Sequence, residues 1–289
     1  MRTELGVDAL RLALAVVRYG HGPRRLASRL REQGPRAAQA LYEQLTADQR
    51  ADVDSEARAL HASGVDAMLL SLGSYPASLA SLRQAPPVLF CQGDGGLLAM
   101  RSIGICGSRD ASGQGLSAAR ACGEEMARCG LVVVSGYARG VDTEAHAAAL
   151  DAGGRTIMVL AEGIARFKVK RWLASRSHDP VQIAVVSQFP PSQTWTAGGA
   201  MSRNDVIIGL SLGLVVIEAR ETGGTLAAGL RALDEQRPVL ALEFRQDMPQ
   251  GNKILLDHGA VPVRSRSQLR ERLQQLLAGN HPGQPRLVW

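Results

Sequence analysis

Apolar and polar positions follow two patterns along the chain. Up to about residue 62 the apolar residues fall at helical spacing. Leu10, Leu12, Leu14, Val16 and Val17 give a first helix, and Leu26, Ala27 and Leu30 a second that stops at Gly34–Pro35. The turn between them is Tyr19–Gly20–His21–Gly22–Pro23. Helix, glycine turn, helix is the pattern of a helix-hairpin-helix module, which either grips DNA through turn amides or serves as a plain packing unit. Packing is the reading favoured here. From residue 66 the pattern changes to short aliphatic runs separated by helical segments. The runs are Met68–Leu70, Val88–Phe90, Ile103–Ile105, Val132–Val134, Ile157–Leu160, Ile183–Val186, Leu214–Ile217 and Val239–Leu242. Unbroken apolar strands are buried on both faces, so they predict a mostly parallel, doubly wound α/β sheet covered by helices. A last helix is expected over Ser267–Leu277, and Gly279–Trp289 reads as a loose end. The expected division is a helical module over 1–62, a doubly wound α/β domain over 63–270, and a helix end and tail over 271–289.

Composition narrows the class. The chain has 289 residues, 45% of them apolar, enough for a sizeable core. Its net charge is +6 and lysine occurs only at Lys168, Lys170 and Lys253, so arginine carries the excess. Arginine presents the planar fork that phosphates favour, and a basic balance suits an anionic partner. The four cysteines, Cys91, Cys106, Cys122 and Cys129, form no CxxC pair and read as reduced packing residues. No metal site or cofactor is expected. The first residues, MRTELGVDAL, do not read as a signal peptide, and no stretch is long enough to span a bilayer. The expected location is the cytoplasm.

Ligands of a doubly wound sheet sit beyond the carboxyl ends of its strands, so the loops there carry the candidate chemistry. The first is Gly107–Ser108–Arg109, where an apolar run breaks into a small polar loop before a helix. Gly107 lets the chain turn, Ser108 offers a hydroxyl, and Arg109 can hold a phosphate by two bonds. Gly113-x-Gly115 falls short of a dinucleotide fingerprint, and no P-loop motif occurs. The second is Ser135–Gly136–Tyr137–Ala138–Arg139–Gly140, with Asp142 as the expected helix N-cap and His146 one turn on. An Asp–His catalytic pair is weaker here than a cap beside a hydrogen-bonded histidine, because no nucleophile has a fixed place. The third loop is expected at Met201–Asp205, carrying Arg203 and Asn204, and the fourth at Glu218–Thr225, carrying Thr222, Gly223, Gly224 and Thr225. Glycines and hydroxyls ahead of a helix make an anion cradle.

Taken in order, GSR (107–109), VVVSGYARGVDTEAHAAALDAGGRTIMVL (132–160), SRNDVIIGLS (202–211), VVIEARETGGTLAAG (215–229) and GNKILLDHGA (251–260) resemble the DNA-processing protein A family, also called Smf. The segment SYPASLASLRQAPPVLFCQGD (74–94) resembles the approach to that family's core, and the helical start resembles its small N-terminal module. The resemblance implies an extended Rossmann-like fold that binds single-stranded DNA, protects it during natural transformation and loads a RecA-type recombinase, without catalysis and as a homodimer. It implies phosphate contacts at Ser108 and Arg109, a shared pocket at Ser135, Gly136 and Arg139, and further contacts at Arg203, Asn204 and Thr222–Thr225.

This chain departs from that pattern at Ala161–Trp172, where a more basic loop with Lys168 and Lys170 replaces a tyrosine–proline pair. Asp205 stands where a second arginine is usual, Glu243–Phe244 replaces a proline–glycine pair, and the winged helix of many members is expected to be missing. Those departures leave open a relative serving phage defence or a toxin–antitoxin pair, neutralising a toxin-like protein partner. Gly223–Gly224–Thr225 is also similar to a loop of Rossmann-like phosphoribohydrolases, but Leu226–Ala228 stand where a glutamate is needed. Among aromatic residues, Phe167, Trp172 and Tyr137 read equally as core rings or as stacking platforms for bases, and stacking is favoured only for Phe167 or Trp172, because Lys168, Lys170 and Arg171 surround them.

Overall fold

The structure, a computed structural model, describes residues 2–20, 22–70, 72–176, 179–245 and 247–279. His21 of the expected glycine turn and most of the expected tail lie outside the described residues. Four helices, α1 (Arg2–Tyr19), α2 (Pro23–Gln33), α3 (Arg36–Glu43) and α4 (Ala47–Ala62), precede the sheet, and the short helices α5 (Ala77–Ala80), α8 (Arg171–Ala174) and α11 (Gln250–Asp257) lie between its strands. Leu10, Leu14, Leu30 and Val53 of these helices are buried in one apolar cluster with Phe90 and Val186 of the sheet. Among the described residues no helix is long and apolar enough to cross a membrane.

Among the described residues the sheet has nine strands. At one end β1 (Val65–Leu69) runs antiparallel to β2 (Val88–Gly93), which runs antiparallel to β6 (Ile183–Ser187). Beyond it lie β5 (Arg155–Val159), β4 (Val132–Gly136), β3 (Ser102–Cys106), β7 (Leu214–Val216), β8 (Val239–Leu242) and β9 (Val261–Val263), all parallel. The eight apolar runs coincide with the first eight strands. The ninth has no such run to announce it. It is three residues long, only partly buried and contains Pro262, and an edge strand tolerates a residue that cannot donate to the ladder.

Every residue of β3, β4 and β6 is buried. Strand periodicity sends alternate side chains to opposite layers. Val132 and Val134 join the cluster containing α9 (Ala197–Leu210) and α10 (Gly224–Asp234). Val133 joins the one containing α6 (Gly113–Arg128), α7 (Val141–Asp151) and α12 (Arg266–Leu277). From β3 the chain builds outward through β4, β5 and β6, then crosses back to lay β7 on the other side of β3. The order therefore reverses between β3 and β7, and a crevice opens beyond their carboxyl ends.

Two local expectations are corrected. Met201–Asp205 is not a loop but lies inside α9. Gly198 and Gly199 weaken the helical signal, yet Thr196 caps the helix, its hydroxyl accepting from the Gly199 amide at 2.9 Å. Asp142 is not the N-cap of α7. The cap is Gly140, at φ 79°, and Asp142 lies inside the first turn, its carboxylate accepting from the Ala138 amide at 3.3 Å.

Candidate nucleic-acid interface

The loops after β3 and β7 are tied across the crevice. Glu218 accepts from the Ser112 amide at 3.0 Å and from the Ser112 hydroxyl, whose oxygen accepts from the Gly115 amide at 3.0 Å to cap α6. Thr225, in the first turn of α10, donates its hydroxyl to the Gly107 carbonyl at 3.1 Å. Between the loops is an open cavity of about 520 Å³. Gly107, Ser108, Arg109, Arg139, Arg203 and Asn204 line it, together with the Thr222–Thr225 turn. A second open cavity of about 670 Å³ adjoins it beyond β4 and β5, and Lys168 and Lys170 line its far side. Arg109, Arg139, Arg203 and Trp195 belong to both cavities.

Two of the predicted residues do not reach either cavity. Ser135 is fully buried and donates its hydroxyl to the Ile105 carbonyl at 2.7 Å, stitching β4 to β3. Gly136 acts by being small. A Cβ there would lie 1.5 Å from Nη1 of Arg203. The Arg203 side chain is thus threaded past the end of β4, and Nη1 donates to the Val159 carbonyl at 2.9 Å. Only 7% of Arg203 is exposed, and among the described residues its Nε has no hydrogen-bond partner. Burial lowers its pKa from the ordinary arginine value, while the nearby Asp142 carboxylate favours the charge.

The other cations are less buried than Arg203. Arg139 pairs with Asp110 at 2.6 Å and Arg220 pairs with the same carboxylate at 3.3 Å, at the mouth of the first cavity. The Arg109 guanidinium lies over the Trp195 ring, 5.6 Å from its centroid. Lys170 sits 4.1 Å from the Tyr137 ring centroid and donates Nζ–H to the Tyr137 carbonyl, and partial burial lowers its pKa. Asp205, the acid expected to repel phosphate, is turned away onto Arg231 at 3.0 Å and lines neither cavity.

The aromatic expectation is also corrected. Phe167 and Trp172 pack against the core and against Tyr137, with centroids 5.3 and 6.0 Å from its ring. Among the described residues the exposed ring is Trp195, half in solvent. Its signal in the sequence is a lone aromatic in a polar, proline-rich stretch, PPSQTWTAGG. His146 is fully buried between Thr156, at 2.5 Å from Nδ1, and the Gly136 carbonyl, at 2.7 Å from Nε2. A carbonyl only accepts, so Nε2 carries the proton, while the Thr156 hydroxyl beside Nδ1 also reaches the Val133 carbonyl at 3.0 Å.

A doubly wound sheet with a switch-point crevice between β3 and β7 defines a Rossmann-like protein. The sequence model of the DNA recombination-mediator protein A family matches residues 67–274, and the chain belongs to that family. It is 34% identical to DNA processing protein DprA of Bacillus subtilis over 215 residues, covering 73% of this chain and 72% of the relative. Protein Smf of Escherichia coli is also 34% identical, over 69% of this chain and 54% of its own length. The X-ray structure of DprA from Streptococcus pneumoniae superposes with a TM-score of 0.67 at 26% identity, over 95% of this chain and 96% of that one. The structure of DNA processing protein A from Helicobacter pylori shares the fold, with a TM-score of 0.62 at 23% identity over 73% of this chain and 96% of that one.

Proposed function

We propose that this chain binds single-stranded DNA across the two adjoining cavities and delivers it to a RecA-type recombinase. The observation that carries the reading is the convergence of Arg109, Arg139 and Arg203, from three separate segments, on both cavities. The cavities are open, which suits a strand running through. Their guanidinium groups meet phosphates rather than base edges, so sequence preference is weak over most of the strand. The half-exposed Trp195 offers the stacking surface that single strands use and duplexes hide. A single-stranded ligand also fits the relative from Helicobacter pylori, whose structure is described by its single-stranded DNA binding mode.

Binding without turnover fits the buried His146, which is held by Thr156 and Gly136 rather than facing a nucleophile. Leu226, standing where the phosphoribohydrolase reading needs a glutamate, is itself buried. The test is a titration of single- and double-stranded oligonucleotides at two salt concentrations. Single strands are expected to bind more tightly, with affinity falling steeply as salt rises. Arg109→Ala should lower the log–log salt slope by about 0.7 for each phosphate that Arg109 neutralises. Salt-independent binding, or a duplex preference, overturns the proposal.

A further inference from the structure

The second cavity holds one feature that a phosphate trough does not explain. Six cations line it, from Arg109, Arg139, Arg166, Lys168, Lys170 and Arg203. Among the described residues lining it the one acid is Glu162. An acid kept for charge balance would pair with one of these neighbours, yet among the described residues the Glu162 carboxylate makes no ion pair or hydrogen bond. Its charge is felt by Lys170 from beyond bonding distance. A free carboxylate repels phosphate, so this end of the cavity suits a group that donates hydrogen bonds.

Glu162 is also held in place. Its carbonyl accepts from the buried Ser187 hydroxyl at 2.6 Å. The next residue, Gly163, donates its amide to the Gln193 carbonyl at 2.9 Å, and Ala165 donates to the Pro191 carbonyl at 3.0 Å. Arg166 adds a side-chain bond to the Ser192 carbonyl at 3.1 Å. These bonds zip the Glu162 loop to the segment that presents Trp195. The Glu162 loop and the segment that carries the half-exposed Trp195 are therefore joined by hydrogen bonds, and both residues line the same cavity. The volume, about 670 Å³, lies within the ~300–1,000 Å³ typical of small-molecule sites.

We propose that the second cavity reads one unstacked guanine of the bound strand, with Trp195 stacking on the base and Glu162 accepting from its Watson–Crick edge. The proposal rests on the single-strand reading above and adds a base preference to it. Guanine is selected by the pattern of donors. Its N1–H and N2–H₂ are adjacent and face the same way, matching the two oxygens of a carboxylate. Adenine and cytosine place a lone-pair nitrogen beside their one amino group, and thymine flanks its N3–H with two carbonyls, so each would set an acceptor against the Glu162 charge. Unstacked bases are commonly read this way, by stacking together with edge hydrogen bonds.

The test uses fluorescence anisotropy with a twelve-residue oligothymidylate and the same strand carrying one central dG, dI, dA or dC. The dG strand is expected to bind about tenfold more tightly than the all-thymidine strand, as one good bidentate contact allows. Inosine, which keeps N1–H and lacks the N2 amino group, should fall between them. Glu162→Gln should erase the dG advantage while binding the all-thymidine strand at least as well as before. Glu162→Ala repeats the comparison if the glutamine retains one hydrogen bond. Equal affinity for all five strands, or a dG preference that survives both variants, overturns the guanine pocket and leaves the strand-binding reading standing. Failure of every oligonucleotide to bind removes the strand-binding reading and the pocket with it.

Discussion

Nη1 of Arg203 occupies the space that a Cβ on Gly136 would need, since that atom would lie 1.5 Å away. The buried guanidinium and the bare end of β4 are one feature: remove the glycine and the arginine has no seat. Gly136→Ala is therefore expected to weaken single-strand binding as much as Arg203→Ala does. It should also lower unfolding stability by about 2 kcal/mol, the usual scale of overpacking. Urea denaturation beside an oligonucleotide titration checks both. Wild-type binding by Gly136→Ala would mean that Arg203 does not contribute from this position.

Trp195→Ala should cost roughly 1–3 kcal/mol of single-strand affinity, the range for one base–aromatic stack, with duplex binding unchanged. Trp195→Phe should restore most of the affinity. Trp172→Ala, by contrast, removes a ring packed against the core and should lower the melting temperature. A drop in strand affinity from Trp172→Ala at full stability would contradict the assignment of the two rings.

Asp110 holds Arg139 at 2.6 Å and Arg220 at 3.3 Å, so it occupies forks that a phosphate would otherwise take. Asp110→Asn is expected to tighten strand binding severalfold at low salt, and the gain should shrink as salt screens the charges. Weaker binding by this variant would show that Asp110 positions the arginines instead of competing for them.

His146 predicts an acid-sensitive fold. Burial pushes its pKa down from 6.5 to about 4, with the Gly136 carbonyl opposing the shift. Between those values the unfolded chain takes up a proton that the folded chain refuses. Stability from this group is full above about pH 6.5 and is lost as the pH falls through 4. The Glu125 carboxylate is held down to about 2, chiefly by its hydrogen bond to Arg270, so its contribution fades only below the ordinary glutamate range. Urea midpoints at pH 7, 5.5 and 4.5 should fall for the wild type, and the fall should be smaller for His146→Gln. A midpoint that does not change from pH 7 to 4.5 would contradict a buried neutral histidine.

The sequence by itself determined eight of the nine strands, the glycine turns that follow β3, β4 and β7, and the basic character of one rim. Those signals are local: an unbroken apolar run such as Val132–Val134 must be covered on both faces, and glycine beside a hydroxyl marks a turn whatever surrounds it. Tertiary structure alone decided which way each polar side chain turns. Ser135 sits in the same motif as Arg139, yet strand alternation and the neighbouring Ile105 carbonyl draw it inward. Asp205 follows two lining residues on one helix, yet helical rotation delivers it to Arg231. Trp195 reaches the trough because its segment is hydrogen-bonded to a loop about thirty residues earlier in the chain. Local patterns fix where the backbone can be strand, turn or helix. The partner that each buried or charged group finds depends on which distant segment packs beside it, and that is a property of the assembled sheet.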